Sequence, residues 1–311
     1  MLTDNQIIQK ADLALSDITS DGGLLHPTQF EQFVRTLIDQ PTILNEARVV
    51  RMPSPKYDVN KIKFGSRILQ YGSQNTAASD TEHSGRYLTQ AGRSKPTTSK
   101  VQLDAKEVMA EVRIPYEVLE DNIERDQLGS TILALIAERA ALDMEELIIK
   151  GDTASSDTYL ALFEGLLEQA TSNVVNAAGS ALTPQVLNNV KKAMPTPFRR
   201  NPAEMRYYVN MDDESDYRLG ISSRGSNLGD AVLVGNQPLQ VFGSLMKPAA
   251  MMTAGYAVYT NPANIVFGIH RDVRIEMDRD IRSREIIYVL SARIDMKLEE
   301  ETAVVKVTNL A

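Results

Sequence analysis

The segment between Pro115 and Asp152 constrains the fold more than any other part of the chain. Apolar residues recur there at intervals of three or four, which places them on one face of a helix. They are Leu128, Ile132, Ile136, Ala140, Met144 and Leu147. Lys150 lies in the last predicted turn and Gly151 follows it, a common way for helices to end. The spacing predicts a helix of about twenty-five residues, roughly twice the length of an average globular helix.

A second long element is predicted near the C-terminus. Between Ile286 and Leu298 every second residue is apolar, which indicates one strand with a buried and an exposed face. At about thirteen residues, this strand is more than twice the usual length. A long helix packed on such a strand and its neighbours gives an elongated α+β layer.

Residues 53–114 are predicted to form a long β-hairpin arm. The return strand alternates between apolar and polar residues from Val101 to Ile114, with one slip of phase after Ala105 that indicates a bulge. Residues 71–99 are nearly all small or polar, so they have too little apolar surface to pack on their own domain. A loop of this length in a compact chain indicates a role in contacts elsewhere.

Shorter elements are predicted from caps and periodicity. Thr183 and Pro184 form an N-cap and first-turn pair for a helix that ends near Ala193. The other predicted elements are a helix at Thr28 to Asp39, an extended segment at Ile43 to Met52, a strand at Arg206 to Asn210, a short acidic helix at Asp212 to Leu219, a hairpin turn at Gly235-Asn236 and a solvated turn at Glu299 to Glu301.

Composition excludes several classes of protein. The chain has 311 residues and no cysteine, which excludes disulfides, thiol catalysis and thiolate metal sites. No run approaches the eighteen or so consecutive apolar residues of a membrane span, and the N-terminus lacks the pattern of a signal peptide. The sequence therefore predicts no membrane partner and a reducing cytoplasm, or a particle built there.

Charge is distributed unevenly along the chain, which has a net charge of −8. Residues 51–100 hold nine Lys/Arg and three Asp/Glu, whereas residues 101–152 hold five Lys/Arg and thirteen Asp/Glu. The basic arm and the acidic helix region can attract each other within one molecule or between neighbours. Ordinary solvated charge is the alternative, and composition alone favours it.

Motifs for catalysis are absent from the sequence. His26, His83 and His270 lie in separate predicted elements without zinc spacing, and no nucleophile elbow, phosphate loop or dinucleotide fingerprint occurs. The carboxylates of residues 212–216 can in principle hold a hard cation, but acid enrichment at a helix N-terminus explains them better. We therefore predict no catalytic residue, no metal ligand and no cofactor. An enzyme that uses these carboxylates is the alternative from another class.

Three segments and their order carry a resemblance to a known family. They are DGGLLHPTQFEQFVRTLIDQPTILNEARVV at residues 21–50, ERAALDMEELIIKGD at Glu138 to Asp152, and NPANIVFGIHRDVRIEMDRD at residues 261–280. They resemble the N-terminal arm, the spine helix and the closing sheet of the major capsid proteins of tailed bacteriophages. The resemblance covers nearly the whole chain.

The resemblance implies the α+β tailed-phage major capsid fold and a division of the chain into five parts. These are an N-terminal arm at residues 1–50, an extended loop with its flanking strands at residues 51–114, the spine helix of the peripheral domain at residues 115–154, a central axial domain at residues 155–255, and the peripheral-domain β-sheet at residues 256–311.

The function that the resemblance implies is assembly. Copies are expected to form hexamers and pentamers that close into an icosahedral shell around double-stranded viral DNA, without sequence-specific binding. The implied partners are a portal protein and separate scaffolding or decoration proteins, and the implied location is the virion capsid, assembled in the host cytoplasm. An encapsulin-type nanocompartment, which encloses a protein guest, is the alternative within the same fold.

The extended loop is then expected to dock on the acidic region of an adjacent subunit. The candidate basic contacts are Lys61, Lys63, Arg67, Arg86 and Arg93, and the candidate acidic contacts are Glu138, Glu145 and Glu146. Each exposed pair contributes up to about 1 kcal/mol, so the effect depends on repetition over many interfaces.

Overall fold

The computed structural model describes residues 42–64, 67–69, 94–117, 128–222 and 238–311. The helices are α1 (Ile43–Glu46), α2 (Leu128–Lys150), α3 (Leu166–Gln169), α4 (Pro184–Ala193) and α5 (Met211–Ser222). The strands are β1 (Arg48–Arg51), β2 (Lys56–Lys63), β3 (Thr97–Asp104), β4 (Lys106–Pro115), β5 (Val174–Ser180), β6 (Arg206–Val209), β7 (Gln240–Val241), β8 (Ser244–Pro248), β9 (Ala257–Thr260), β10 (Ile265–Asp280), β11 (Glu285–Leu298) and β12 (Val304–Leu310).

The long helix and the long strand meet in one layer, as the sequence predicts. A four-stranded sheet in the order β1-β10-β11-β4 packs against the C-terminal half of α2. Leu147, Ile148 and Ile149 are fully buried there, whereas Ile132 and Ile136 nearer the helix start are only half-buried. Among the side chains of α2 that the structure describes, the fully buried ones lie near the C-terminal end of the helix.

A six-stranded sheet in the order β5-β12-β9-β6-β8-β7 forms the second layer. Helices α4 and α5 pack on it through Leu187, Val190 and Tyr217. Helix α4 begins as predicted, because Thr183 Oγ1 accepts a hydrogen bond from Val186 N at 3.4 Å and Pro184 follows the cap.

The strands of residues 256–311 are divided between the two sheets. Strand β12 pairs in parallel with β5 and antiparallel with β9, so both β9 and β12 lie in the six-stranded sheet. Only β10 and β11 of residues 256–311 lie in the four-stranded sheet. The predicted single sheet is thus divided, because apolar alternation identifies a strand but not its partner.

Two local predictions differ from the structure. The segment from Ile43 to Met52 is not extended throughout, since the helical turn α1 precedes β1. The slip at Ala105 is not a bulge, because there the chain passes from β3 in a two-stranded sheet to β4 in the four-stranded sheet. The predicted helix at Thr28 to Asp39 and the turn at Gly235-Asn236 lie outside the described residues.

Candidate functional site

The base of the predicted extended loop is a two-stranded antiparallel ribbon, the arm base, formed by β2 and β3. Its register runs from Lys56 opposite Asp104 to Lys63 opposite Thr97. A two-stranded ribbon alone is only marginally stable in water. The arm base therefore depends on the contacts that fix it to the rest of the chain.

Apolar contacts hold the end of the arm base at which β2 begins and β3 ends. Met52, Leu103 and Val266 form a small buried cluster. Gly268 leaves room for this cluster, since a Cβ atom there would lie 2.7 Å from Met52 Sδ and 3.0 Å from Leu103 Cδ1. The backbone closes the same corner, because Met52 N donates to Ile269 O at 2.8 Å.

A buried carboxylate, Asp295 on β11, fixes the end of β3. Its Oδ2 accepts a hydrogen bond from Asp104 N at 2.6 Å, and its Oδ1 accepts one from Met296 N at 2.8 Å. Burial raises the pKa of Asp295 although these hydrogen bonds oppose the shift. The buried group is tolerated because both oxygens have donors.

Two of the predicted basic contacts, Lys61 and Lys63, reach a carboxylate of the same chain. Lys61 Nζ lies 3.1 Å and Lys63 Nζ lies 3.0 Å from Glu300 Oε2. Asn264 holds this turn, accepting from Glu300 N at 2.8 Å and donating to Glu300 O at 3.0 Å. Partial burial raises the pKa of Glu300, but hydrogen bonds from Lys63 and Lys61 outweigh it and leave the pKa below its ordinary value.

The turn from Glu299 to Glu301 is therefore not the solvated turn that the sequence predicts. Arg48 on β1 lies 3.0 Å from the Glu299 carboxylate. Glu301 accepts hydrogen bonds from the hydroxyl of Ser172 and from Thr171 N, the latter at 3.0 Å. These hydrogen bonds lower the pKa of Glu301. The three carboxylates join the arm base, β1 and the segment before β5.

We expect Glu300→Ala to loosen the arm base without unfolding the chain. Loss of both lysine contacts should cost about 1 kcal/mol, because these pairs are partly exposed. Hydrogen–deuterium exchange in β2 should then rise about fivefold while exchange in α2 stays unchanged. Glu299→Ala is the control, since it keeps the Glu300 carboxylate that contacts Lys61 and Lys63. Unchanged exchange in β2 of the Glu300 variant would exclude a fastening role.

The other predicted basic contacts have different positions. Arg67 is exposed, in the short described segment 67–69 beyond β2. Arg86 and Arg93 lie outside the described residues. The structure thus places two of the five basic candidates against the body of their own chain and leaves one on the surface.

The predicted acidic contacts on α2 occupy three environments. Glu138 is exposed, and Glu146 Oε1 accepts from Lys150 Nζ at 2.9 Å one turn further along. Glu145 is 0% exposed and its Oε1 accepts a hydrogen bond from Ile43 N. Glu145 therefore does not lie on the exposed docking face that the sequence predicts, because its side chain serves α1 inside the same chain.

One face of the arm base has no cover within the described residues. Side chains alternate across a strand, so Lys61 and Lys63 face Glu300 while Ile62 and Phe64 face the other way. Ile62 is 70% exposed, Phe64 51% and Leu69 84%. Exposed apolar side chains of this size, close together along the chain, indicate an interaction surface.

The enzyme alternative rests on the carboxylates of residues 212–216. Asp212, Asp213 and Glu214 lie in the first turn of α5, as acid enrichment at a helix start predicts. Asp213 is buried, and burial, Asp216 and Asp212 raise its pKa. Within the part of the chain that the structure describes, no three acidic or histidine side chains are grouped to hold a metal ion, and no helix is long and apolar enough to cross a membrane.

Comparison with known proteins gives a match over nearly the full length. The model of the phage capsid family matches residues 22–309. The chain is 41% identical over 321 residues to the putative prophage capsid protein YqbE of Bacillus subtilis (strain 168), with 99% of each protein covered.

Solved structures share the fold at low identity. The capsid of a native GTA particle gives a TM-score of 0.69 at 16% identity, covering 96% of this chain and 100% of that chain. The holo-SrpI encapsulin complex from Synechococcus elongatus PCC 7942 gives 0.59 at 13% identity, covering 92% and 96%. The predicted α+β capsid fold is confirmed. The chain belongs to the phage capsid family.

Proposed function

We propose that copies of this chain assemble through hexamers and pentamers into an icosahedral shell that encloses double-stranded viral DNA. The observation that carries the proposal is the uncovered face at the end of the arm base and just beyond it, where the apolar side chains of Ile62, Phe64 and Leu69 are exposed. Burial of such side chains contributes about 25 cal/mol per Å² of apolar area. A neighbouring copy supplies that burial at every repeated contact of a shell.

The proposed shell is a virion capsid built in the host cytoplasm. Its partners are a portal protein and separate scaffolding or decoration proteins, in addition to the packaged DNA. The net charge of −8 supports a wall that does not adhere to DNA, because phosphate and carboxylate charges repel. The genome can then enter and leave without breaking strong contacts.

Docking of the basic arm on an acidic neighbour is also part of the proposal, in a revised form. Lys61 and Lys63 set the direction of the arm base through Glu300 of their own chain. Arg67 and the residues beyond it are then the basic groups that meet a neighbour, and Glu138 is an exposed acidic candidate on α2.

We expect Ile62→Asp combined with Leu69→Asp to abolish assembly and leave the monomer folded. Both side chains are exposed in the single chain, so the changes cost little there, but each places a carboxylate in an apolar contact between copies. Analytical ultracentrifugation and electron micrographs should show closed particles for the wild type and none for the variant, at unchanged circular dichroism.

Ile62→Val combined with Leu69→Met is the matched control, because it keeps the face apolar. Closed particles formed equally well by the aspartate variant would refute the role of this face. The contents of particles made during phage production test the rest: nuclease-protected double-stranded DNA supports a virion capsid. A protein guest without DNA would favour the encapsulin-type compartment, with which the chain shares its fold.

A further inference from the structure

A basic patch lies at one end of the six-stranded sheet, in a chain that is acidic overall. Lys191 and Lys192 end helix α4, and Arg199 and Arg200 follow in the next loop. These four side chains, with Phe242, line an open cavity of about 510 Å³. No carboxylate contributes to its lining. Across the described ranges, none of the four cations lies in an ion pair, so no carboxylate of the described chain neutralises the patch.

The patch is held in shape by neutral groups. Lys191 Nζ donates to Phe242 O at 2.8 Å and lies 5.7 Å from the centre of the Phe242 ring. Arg199 donates to Lys191 O at 3.3 Å and to Thr196 Oγ1 at 3.4 Å. Lys192 and Arg200 are exposed beside this framework. The positive charge is therefore preorganised without being neutralised.

Two exposed acids lie near the start of α5, the helix that follows the C-terminal end of β6. Strand β6 runs from the patch towards α5, over about 13 Å for its four residues. Asp212 and Asp216 are exposed and lie one helical turn apart on one face of α5. Neither forms an ion pair in the regions described, and two like charges at this spacing destabilise a lone helix slightly.

From these two surfaces we infer that the basic patch of one copy docks on the α5 acids of the next copy around a ring. The inference rests on the proposed assembly function and names a contact within it. A ring needs a heterologous interface, in which two different patches of one chain meet, and the basic patch and the α5 acids supply opposite charges. Electrostatic complementarity of this kind fixes orientation and suppresses wrong pairings.

Charge reversal and charge exchange test the inference. Lys192→Glu with Arg200→Glu should raise the protein concentration needed for assembly by about tenfold, since several pairs are lost at every contact. Asp212→Lys with Asp216→Lys should do the same. The chain that carries all four changes should assemble like the wild type. Lys192→Arg with Arg200→Lys is the matched control and should assemble normally.

A mixture of the two reversal variants gives a sharper result. Each variant alone opposes like charges at every contact, but an alternating ring of the two pairs opposite charges throughout. Even-membered rings should therefore form in the mixture, and odd-membered rings should not. Native mass spectrometry measures the number of subunits in each ring. A patch with a purely structural role would not restrict the mixture to even-membered rings.

Each contrary outcome has a distinct meaning. If the wild type forms particles and the reversal variants assemble equally well, this inference is overturned and the proposed function stands. A wild-type chain that never assembles would overturn both. Reversal variants that assemble normally but no longer retard double-stranded DNA in gel-shift measurements would overturn the ring contact and assign the patch to nucleic acid.

Discussion

Gly151→Ala should lower the free energy of unfolding by about 3 kcal/mol, the upper part of the range for overpacking a closed interior. Gly151 follows the last residue of α2 and lies against the backbone of Gly165, the residue before α3. A Cβ atom there would overlap the backbone oxygen of Phe163 and lie 2.7 Å from that of Leu147. Neither backbone oxygen can move away as a flexible side chain would.

Gly165 makes the same close approach from the other side. Its N–H donates to Gly151 O at 2.7 Å, and a Cβ atom on it would lie 2.6 Å from Gly151 N. The end of α2 and the start of α3 thus touch backbone to backbone, directly beside the buried core formed by Ile148, Leu166 and their neighbours. An added methyl group must separate two elements that the core joins.

Gly220→Ala is the matched control for this prediction. Gly220 lies in α5 and nothing lies within 4 Å of a Cβ atom built there, so alanine should stabilise the helix by about 0.5–1 kcal/mol. Urea denaturation of the unassembled protein measures both changes. Equal small effects for the two variants would mean that the contact between Gly151 and Gly165 relaxes easily.

The long elements were predictable because their signal is local and repeated. Periodicity within Pro115 to Asp152 identified α2, observed at Leu128–Lys150. Alternation from Ile286 to Leu298 identified β11, observed at Glu285–Leu298. The cap at Thr183 was equally local, since one hydroxyl and the following proline specify where a helix begins.

Long-range partners were not predictable on the same grounds. Lys61 and Glu300 are separated by 239 positions, and the sequence around neither residue indicates the other as its partner. Strand β12 follows β11 along the chain after one short turn, yet it lies in a different sheet. The burial of Glu145 was not predicted, because a helical pattern indicates only which apolar residues share the buried face. It does not show that the backbone N–H groups at the start of another helix will meet a carboxylate on that face.

Glu145→Ala should destabilise the chain by about 3 kcal/mol, because it leaves buried donors without an acceptor. Glu145 Oε1 accepts from Ile43 N at the start of α1, and the side chain lies wholly inside the protein. Glu46, at the other end of α1, accepts from Tyr208 OH at 2.9 Å and lies 3.3 Å from Lys247 Nζ. Helix α1 thus links α2 to the six-stranded sheet, and its loss should weaken both.

Glu145→Gln separates the charge of this side chain from its shape. Burial raises the pKa of Glu145, while hydrogen bonds from the backbone of Ile43, Thr42 and Leu44 oppose the shift. A raised pKa means that the folded chain binds this proton more tightly than the unfolded chain does. The free energy of unfolding of the wild type should therefore rise, relative to Glu145→Gln, as the pH falls through the folded pKa towards the ordinary value of 4.5.

Urea denaturation of both proteins at pH 7 and pH 5 checks this dependence. Glutamine can still accept one backbone hydrogen bond, so Glu145→Gln should lose less stability than Glu145→Ala at either pH. The difference between the wild type and Glu145→Gln should shift in favour of the wild type at pH 5. A shift in the opposite direction would mean that the backbone N–H groups of α1 outweigh burial and that the carboxylate is held in its charged form.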